Sequence, residues 1–274
     1  RVAGRASSRM LHPRRARTSA PRGRSRGAGP GRGDTAHVPR RDPPPPTLSF
    51  VPGPSHVRGE VLAALATPPL PHRGPQVRAL VERIQQGLAA MLGTRSPVFP
   101  VHASGTMTLE VALRGLARRR VLVVSGGAFG DRLGRIAEAL GLETEVLRVP
   151  AGWAVTPEML DRALDAAPFD TVALVHNETQ TGALCDLPAL GARVAARPGV
   201  ALVVDAVSSF GGVPVDLDAL PPESALVSVS GKCLACPPGL AVLALSPAAA
   251  ERARGADGGG YALRLATLVE HAAR

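Results

Sequence analysis

The chain carries one lysine, Lys232, among 32 basic residues that are otherwise arginine. A surface cation is the ordinary use of lysine, but arginine already fills that role everywhere else in this chain. Arginine cannot replace an amine that must lose a proton and attack a carbonyl. Lys232 follows the apolar run "ALVSVS" (225–230) and precedes Pro237-Pro238-Gly239, a setting that suits a Schiff base. Asp205 lies near the end of a second apolar run, "VALVVDAV" (200–207). A carboxylate there would be partly desolvated and would need a cation or several donors, unless it is simply a cap. Ser104, Gly105 and Thr106 precede a helix-like stretch. Their N–H groups and hydroxyls could hold an anion, or Ser104 could serve as an ordinary N-cap. Phe129 puts a large ring in the glycine turn "SGGAFGDR" (125–132), in a chain with only 3% aromatic residues. It either anchors the core or stacks on a flat ligand.

In chain order these are a phosphate cup, a stacking ring, a buried carboxylate and a lysine. Together they describe a site for pyridoxal 5′-phosphate. The carboxylate would hold the pyridine nitrogen protonated, and the lysine would carry the aldehyde and move protons. A nicotinamide-binding domain fits less well. The glycine spacing is not G-x-G-x-x-G, and Lys232 would have no role. Cys233 and Cys236 form a C-x-x-C, but no second Cys or His pair at metal spacing accompanies it. Small apolar filling is the reading preferred for them over redox chemistry.

The elements that must position these residues are legible as an alternation. Short Val- and Leu-rich runs lie at 121–124, 144–149, 171–176, 200–207, 225–230 and 240–245. Between several of them lie amphipathic stretches at 108–119, 132–141, 156–167 and 187–197, and Val77 to Leu92 also has helical spacing. Thr156 before Pro157 reads as an N-cap with proline at the first helical position. Continuous apolar strands alternating with helices predict an α/β domain, a mainly parallel sheet covered on both faces. Ligands of such sheets sit at the carboxyl ends of the strands, where these polar and glycine-rich segments fall.

Residues 1–50 hold twelve arginines and two acids, and the rest of the chain is balanced, so the net charge of +10 belongs to the N-terminal segment. The remainder carries no long-range basic field, and no nucleic-acid partner is expected. Residues 1–47 are read as a disordered Arg/Pro-rich tail. An upstream start or a targeting role explains it better than a nucleic-acid arm. No run of about eighteen apolar residues exists, so no membrane span is expected. Three cysteines point to a reducing, cytoplasmic setting.

The ordered set "VPGPSHV", "SGT", "GGAFGDR", "HNETQTG", "VDAVSSFGG" and "SGKC…PPG" resembles the class V, fold-type I pyridoxal-phosphate aminotransferases. Within them it is most similar to 2-aminoethylphosphonate–pyruvate aminotransferase and to the alanine– and serine–glyoxylate enzymes. The resemblance covers roughly residues 48–270. It implies a three-layer αβα large domain over 48–274, truncated before a C-terminal small domain. It also implies that Lys232 forms the internal aldimine and that Asp205 pairs with the pyridinium nitrogen. Phe129 and Val207 would flank the ring. Ser104, Gly105 and Thr106 would hold the phosphate, and Thr179 would bond the phenolic oxygen. Pro52, Gly53 and Pro54 would lie near the substrate pocket. The implied reaction moves an amino group from a small amine or amino acid, such as 2-aminoethylphosphonate, to a 2-oxo acid such as pyruvate, in a homodimer. The alternatives are alanine or serine–glyoxylate transamination, or an inactive truncated fragment. Gly231 departs from the Gln or Asn that relatives carry before the lysine, which puts one phosphate contact in doubt. The substrate-clamping arginine and the residues that reach across the dimer belong to the small domain.

Overall fold

The computed structural model describes residues 49–256 and 260–272. The reading of residues 1–47 as a disordered tail lies outside the described residues. In chain order the elements are α1 (Gly59–Ala64), α2 (Pro75–Met91), β1 (Val98–His102), α3 (Gly105–Leu116), β2 (Arg120–Ser125), α4 (Ala128–Ala139), β3 (Glu143–Arg148) and α5 (Pro157–Ala166). There follow β4 (Thr171–Val175), α6 (Leu187–Ala195), β5 (Ala201–Asp205), β6 (Ser224–Val229), β7 (Leu240–Leu245), α7 (Pro247–Arg254) and, after a short 3-10 turn, α8 (Leu265–Ala272).

The seven strands form one sheet in the order β1-β7-β6-β5-β4-β2-β3. β7 runs antiparallel to both of its neighbours, and the strands from β6 to β3 in that order pair in parallel. The expected mainly parallel, three-layer αβα architecture is therefore present. Side chains alternate between the faces of each strand. Leu202 and Val204 of β5 join the core under α2, α5 and α6, with Leu88, Leu160 and Leu190. Ala201 and Val203 join the core under α3, α4, α7 and α8, with Leu113, Leu133 and Leu265. Burial on both faces is why β4, β5 and β6 read as unbroken apolar runs. By the same alternation Asp205, the last residue of β5, falls on the α3 face.

The caps explain where the helices begin. Thr156 accepts from Met159 N at 3.3 Å, with Pro157 in the first turn of α5, as its sequence predicts. Asp186 and Ser246 cap α6 and α7 in the same way. β1 is absent from the alternation read in the sequence because Pro100 interrupts it. Proline is tolerated there because β1 is the edge strand and pairs only with β7.

Connectivity opens the site. From β2 the chain moves outward through α4 to β3. From β4 it moves the other way, through α6 to β5. The carboxyl ends of β2 and β4 are thus a topological switch point, where the two following loops diverge and leave a crevice. Close packing at this point depends on Gly130, where a Cβ would lie 2.6 Å from Ser125 Cα and 2.8 Å from its Oγ. Gly130→Ala is expected to destabilise the chain by about 1–3 kcal/mol. Urea unfolding measures this. An unchanged midpoint would mean that α4 can move away from β2 at no cost.

Candidate active site

The residues singled out in the sequence converge on the loops after β1, β2, β4, β5 and β6. Lys232 lies three residues beyond β6, in a turn closed by Ala235 N to Lys232 O (2.9 Å) and Cys236 N to Ser230 O (3.0 Å). Its Nζ donates to Pro52 O at 2.8 Å. Gly53 presses on the same side chain, so the Pro52-Gly53-Pro54 segment lies on the lysine itself. Gly53 and Pro54 line a cavity of about 580 Å³ together with Lys232, Ser104 and Gly105. Gly231 is held small by Pro238, whose Cγ would be 3.1 Å from an added Cβ.

At the start of α3, Ser104 satisfies the plainer of its two expectations. Its Oγ accepts from Met107 N at 3.2 Å, and its carbonyl accepts from Thr108 N at 3.0 Å. Gly105 N and Thr106 N, which have no intrahelical acceptor by helix geometry, remain available to a ligand. Cap and anion cup are therefore compatible in one helix start. Gly105 fits against the 205–212 loop, where its Cβ would lie 3.0 Å from Val207 Cγ2 and 3.1 Å from Val229 Cγ1.

Asp205 is 4% exposed, and its Oδ1 accepts from Val207 N at 2.9 Å. Burial raises its pKa from 3.8 to about 6; the Val207 N–H opposes that shift, the Glu178 charge reinforces it, and Arg132 and Lys232 oppose it. The carboxylate is thus buried with too little compensation. A protonated heterocycle is the kind of cation that would relieve it, so the donor set fits a pyridinium ring. Of the predicted residues, Pro52, Thr106, Phe129, Thr179, Asp205 and Val207 do not line the 580 Å³ cavity. Asp205 and Thr179 connect to it through the 205–212 loop, by way of Val207 against Gly105 and the hydroxyl pair of Thr179 and Ser208, and Phe129 is tied to the loop of Thr179 through Glu178.

Phe129 is not on a turn, as its glycine-rich setting predicts. It lies in the first turn of α4, which starts at Ala128. The helix begins early because the loop after β4 caps it. Glu178 Oε2 accepts from Phe129 N and Gly130 N, each at 3.2 Å, and Gln180 Oε1 accepts from Ala128 N at 3.1 Å. Arg132 stacks on the Phe129 ring, its guanidinium carbon 4.9 Å from the centroid. Glu178 itself is 4% exposed. His176 is also buried, which holds its imidazole below the usual range, and its Nδ1 lies 2.9 Å from Ser209 Oγ. Sequence reasoning passed over Glu178, His176, Ser55 and His102, the last of which also lines the 580 Å³ cavity. A polar residue ending an apolar strand was the available signal for His176 and Glu178. Nothing local marked Ser55. The three cysteines are free, and burial pushes the Cys185 thiol up.

The fold and site define a doubly wound αβα domain with an amine, a buried carboxylate and a helix start at the carboxyl end of the sheet. Comparison with known proteins supplies the family. The model of "Aminotransferase class-V" matches residues 61–273, and the chain belongs to that family. It is 38% identical over 192 residues to a 2-aminoethylphosphonate–pyruvate transaminase of Pseudomonas entomophila, covering 69% of this chain and 51% of the relative. It is 34% identical over 209 residues to a protein named "Soluble hydrogenase, small subunit" from Synechococcus, covering 74% and 54%. The crystal structure of an alanine–glyoxylate aminotransferase from Nostoc superposes with a TM-score of 0.76 at 31% identity, over 85% of this chain and 63% of that one. The chain spans about half the length of the curated relatives it matches.

Two outcomes follow from the buried carboxylate. Between pH 3.8 and about 6 the native chain holds the Asp205 proton more tightly than the unfolded chain does. Asp205 therefore lowers stability as pH rises through that window, by about 3 kcal/mol once it is passed. Asp205→Asn is expected to resist urea better than wild type at pH 7.5 and to lose that advantage near pH 3.5. A pH-independent difference would count against the burial account. Glu178→Gln removes a neighbouring negative charge and should move the Asp205 titration downward, as read by carboxyl-carbon NMR. No movement would show that the Glu178 charge does not reach Asp205.

Proposed function

We propose that this chain is the cofactor-binding part of a pyridoxal-phosphate aminotransferase. The observation that carries the reading is spatial. The only lysine and the start of α3 line one cavity, and Val207, which packs on that helix start, donates its N–H to the buried Asp205. Bound there, pyridoxal 5′-phosphate would supply an aldehyde for amines and a ring that delocalises the electrons left when a proton departs from the neighbouring carbon.

The chain's own residues divide the remaining work. Ser104, Gly105 and Thr106 bind the phosphate by backbone N–H groups at a helix N-terminus. Phe129 and Val207 confine the ring between apolar surfaces. Thr179, paired with Ser208, orients the phenolic oxygen. Asp205 holds a proton on the ring nitrogen, and its burial strengthens that charge pair. Lys232 Nζ would hold the aldehyde carbon, and when not so engaged the same amine would serve as the base and acid that moves a proton between neighbouring carbons. Pro52, Gly53 and Pro54 border the substrate side.

The donor in this reading is a small amine or amino acid, with 2-aminoethylphosphonate first because a transaminase of that substrate is among the relatives. The acceptor is a 2-oxo acid such as pyruvate. Alanine– or serine–glyoxylate transamination is the second reading, favoured by the Nostoc superposition. A cytoplasmic homodimer is proposed with it. Leu80, Ile84 and Met91 form an exposed apolar stripe on α2, and Leu62 and Leu65, in and just after α1, are exposed as well. Such a surface suits a partner chain.

Pyridoxal phosphate added to the purified full chain, followed by borohydride, should label Lys232 once. Lys232→Arg keeps the charge and should abolish both the label and the accompanying absorbance band. Labelling elsewhere, or an unchanged band in the variant, overturns the assignment. Decay of that band on adding 2-aminoethylphosphonate, L-alanine or L-serine separately, with recovery on pyruvate or glyoxylate, separates the two substrate readings.

A further inference from the structure

The sole lysine is tied down by a segment far from it in sequence. Ser55 N donates to Gly231 O at 3.1 Å, and Ser55 Oγ donates to Lys232 O at 2.6 Å. Two donors of one serine thus hold two successive carbonyls. Lys232 Nζ in turn donates to Pro52 O at 2.8 Å. Between these contacts Gly53 lies flat on the lysine. A Cβ there would come within 2.5 Å of Nζ, 2.8 Å of Cδ and 2.9 Å of Cε. The sheet does not need these contacts, because β6 ends at Val229 and the last bond toward β7 is Ser230 N to Leu240 O. Among the described residues, the hydrogen bonds of the segment go to the lysine loop.

An amine must turn its lone pair toward the carbonyl carbon it attacks, and an Nζ oriented to donate to Pro52 O is held away from that approach. We propose that Pro52–Ser55 is a strap on Lys232, in which Ser55 is a positioning residue that fixes the lysine backbone and the Pro52 carbonyl occupies the amine until an aldehyde displaces it. The proposal rests on reading Lys232 as the amine that takes up the cofactor. On displacement Nζ would leave Pro52 O and turn its lone pair to the aldehyde carbon; the condensation of the neutral amine would release the carbonyl oxygen as water with the two N–H hydrogens. The Ser55 contacts go to main-chain carbonyls, so they persist while the Pro52 contact breaks. Residues 52–54 are therefore the part of the strap that responds to loading, and Ser55 is its fixed end.

The single lysine makes the test direct. Trace acetylation of the cofactor-free full chain with acetic anhydride reports the availability of Nζ, with the N-terminal amine as internal reference. Ser55→Ala should raise Lys232 acetylation about threefold or more, the factor that one net hydrogen bond carries. Ser55→Thr keeps the hydroxyl and should restore the wild-type rate, which a merely structural loss would not explain. Gly53→Ala leaves Ser55 intact but drives Nζ off Pro52 O, and should also raise acetylation. It decides the matter if Ser55→Ala does not fold. Unchanged acetylation in the folded variants, or failure of threonine to restore the rate, overturns the strap. If the variants respond in acetylation but wild type is not trapped by pyridoxal phosphate and borohydride at Lys232, the cofactor reading falls and the strap's hold on the amine stands.

Discussion

A carboxylate that is 4% exposed and too weakly compensated organises this molecule. Asp205 stands at the carboxyl end of β5, on the face where Ala201 and Val203 are core residues. Desolvation disfavours its charge, and its Oδ1 takes the Val207 N–H. A buried charge of this kind lowers stability unless something positive meets it. The surrounding loops are arranged as if to meet that demand. Val207 packs on the start of α3, Ser208 pairs with Thr179, and Ser209 meets His176. The cost in stability and the proposed hold on a cationic ring would have the same origin.

Glu178 shows how one side chain serves both architecture and electrostatics. Its carboxylate takes two N–H groups at the start of α4, where the helix dipole favours a negative charge. That cap places Phe129 in the first helical turn and ties the loop after β4 to the loop after β2 across the switch point. The same charge also holds the Asp205 pKa up. The placing of the Phe129 ring and part of the rise in the Asp205 pKa, which burial mainly causes, thus come from one residue.

The parts legible in the sequence were those written in local pattern. The strands from β2 to β7 announced themselves as apolar runs, and α5 as Thr156 followed by Pro157. Lys232 stood out because the chain uses arginine everywhere else, and Asp205 because a charge near the end of a doubly buried strand is unusual. β1 was illegible because Pro100 breaks its run, and only its edge position makes that proline tolerable. The start of α4 was misread as a turn because its caps, Glu178 and Gln180, lie some fifty residues downstream.

Amino-acid order alone determined the alternation of strand and helix and the residue types at the strand ends, because period and solvation act over a few residues. It also determined the lone amine. Only the tertiary structure decided which of these groups share a cavity and what each is tied to. Ser55 reaches Lys232 across 177 residues, and Val207 reaches Gly105 across the sheet. Such contacts depend on strand order and crossover direction. Hydrophobic periodicity does not encode them, because every strand of a doubly covered sheet looks alike in sequence wherever it sits in the order.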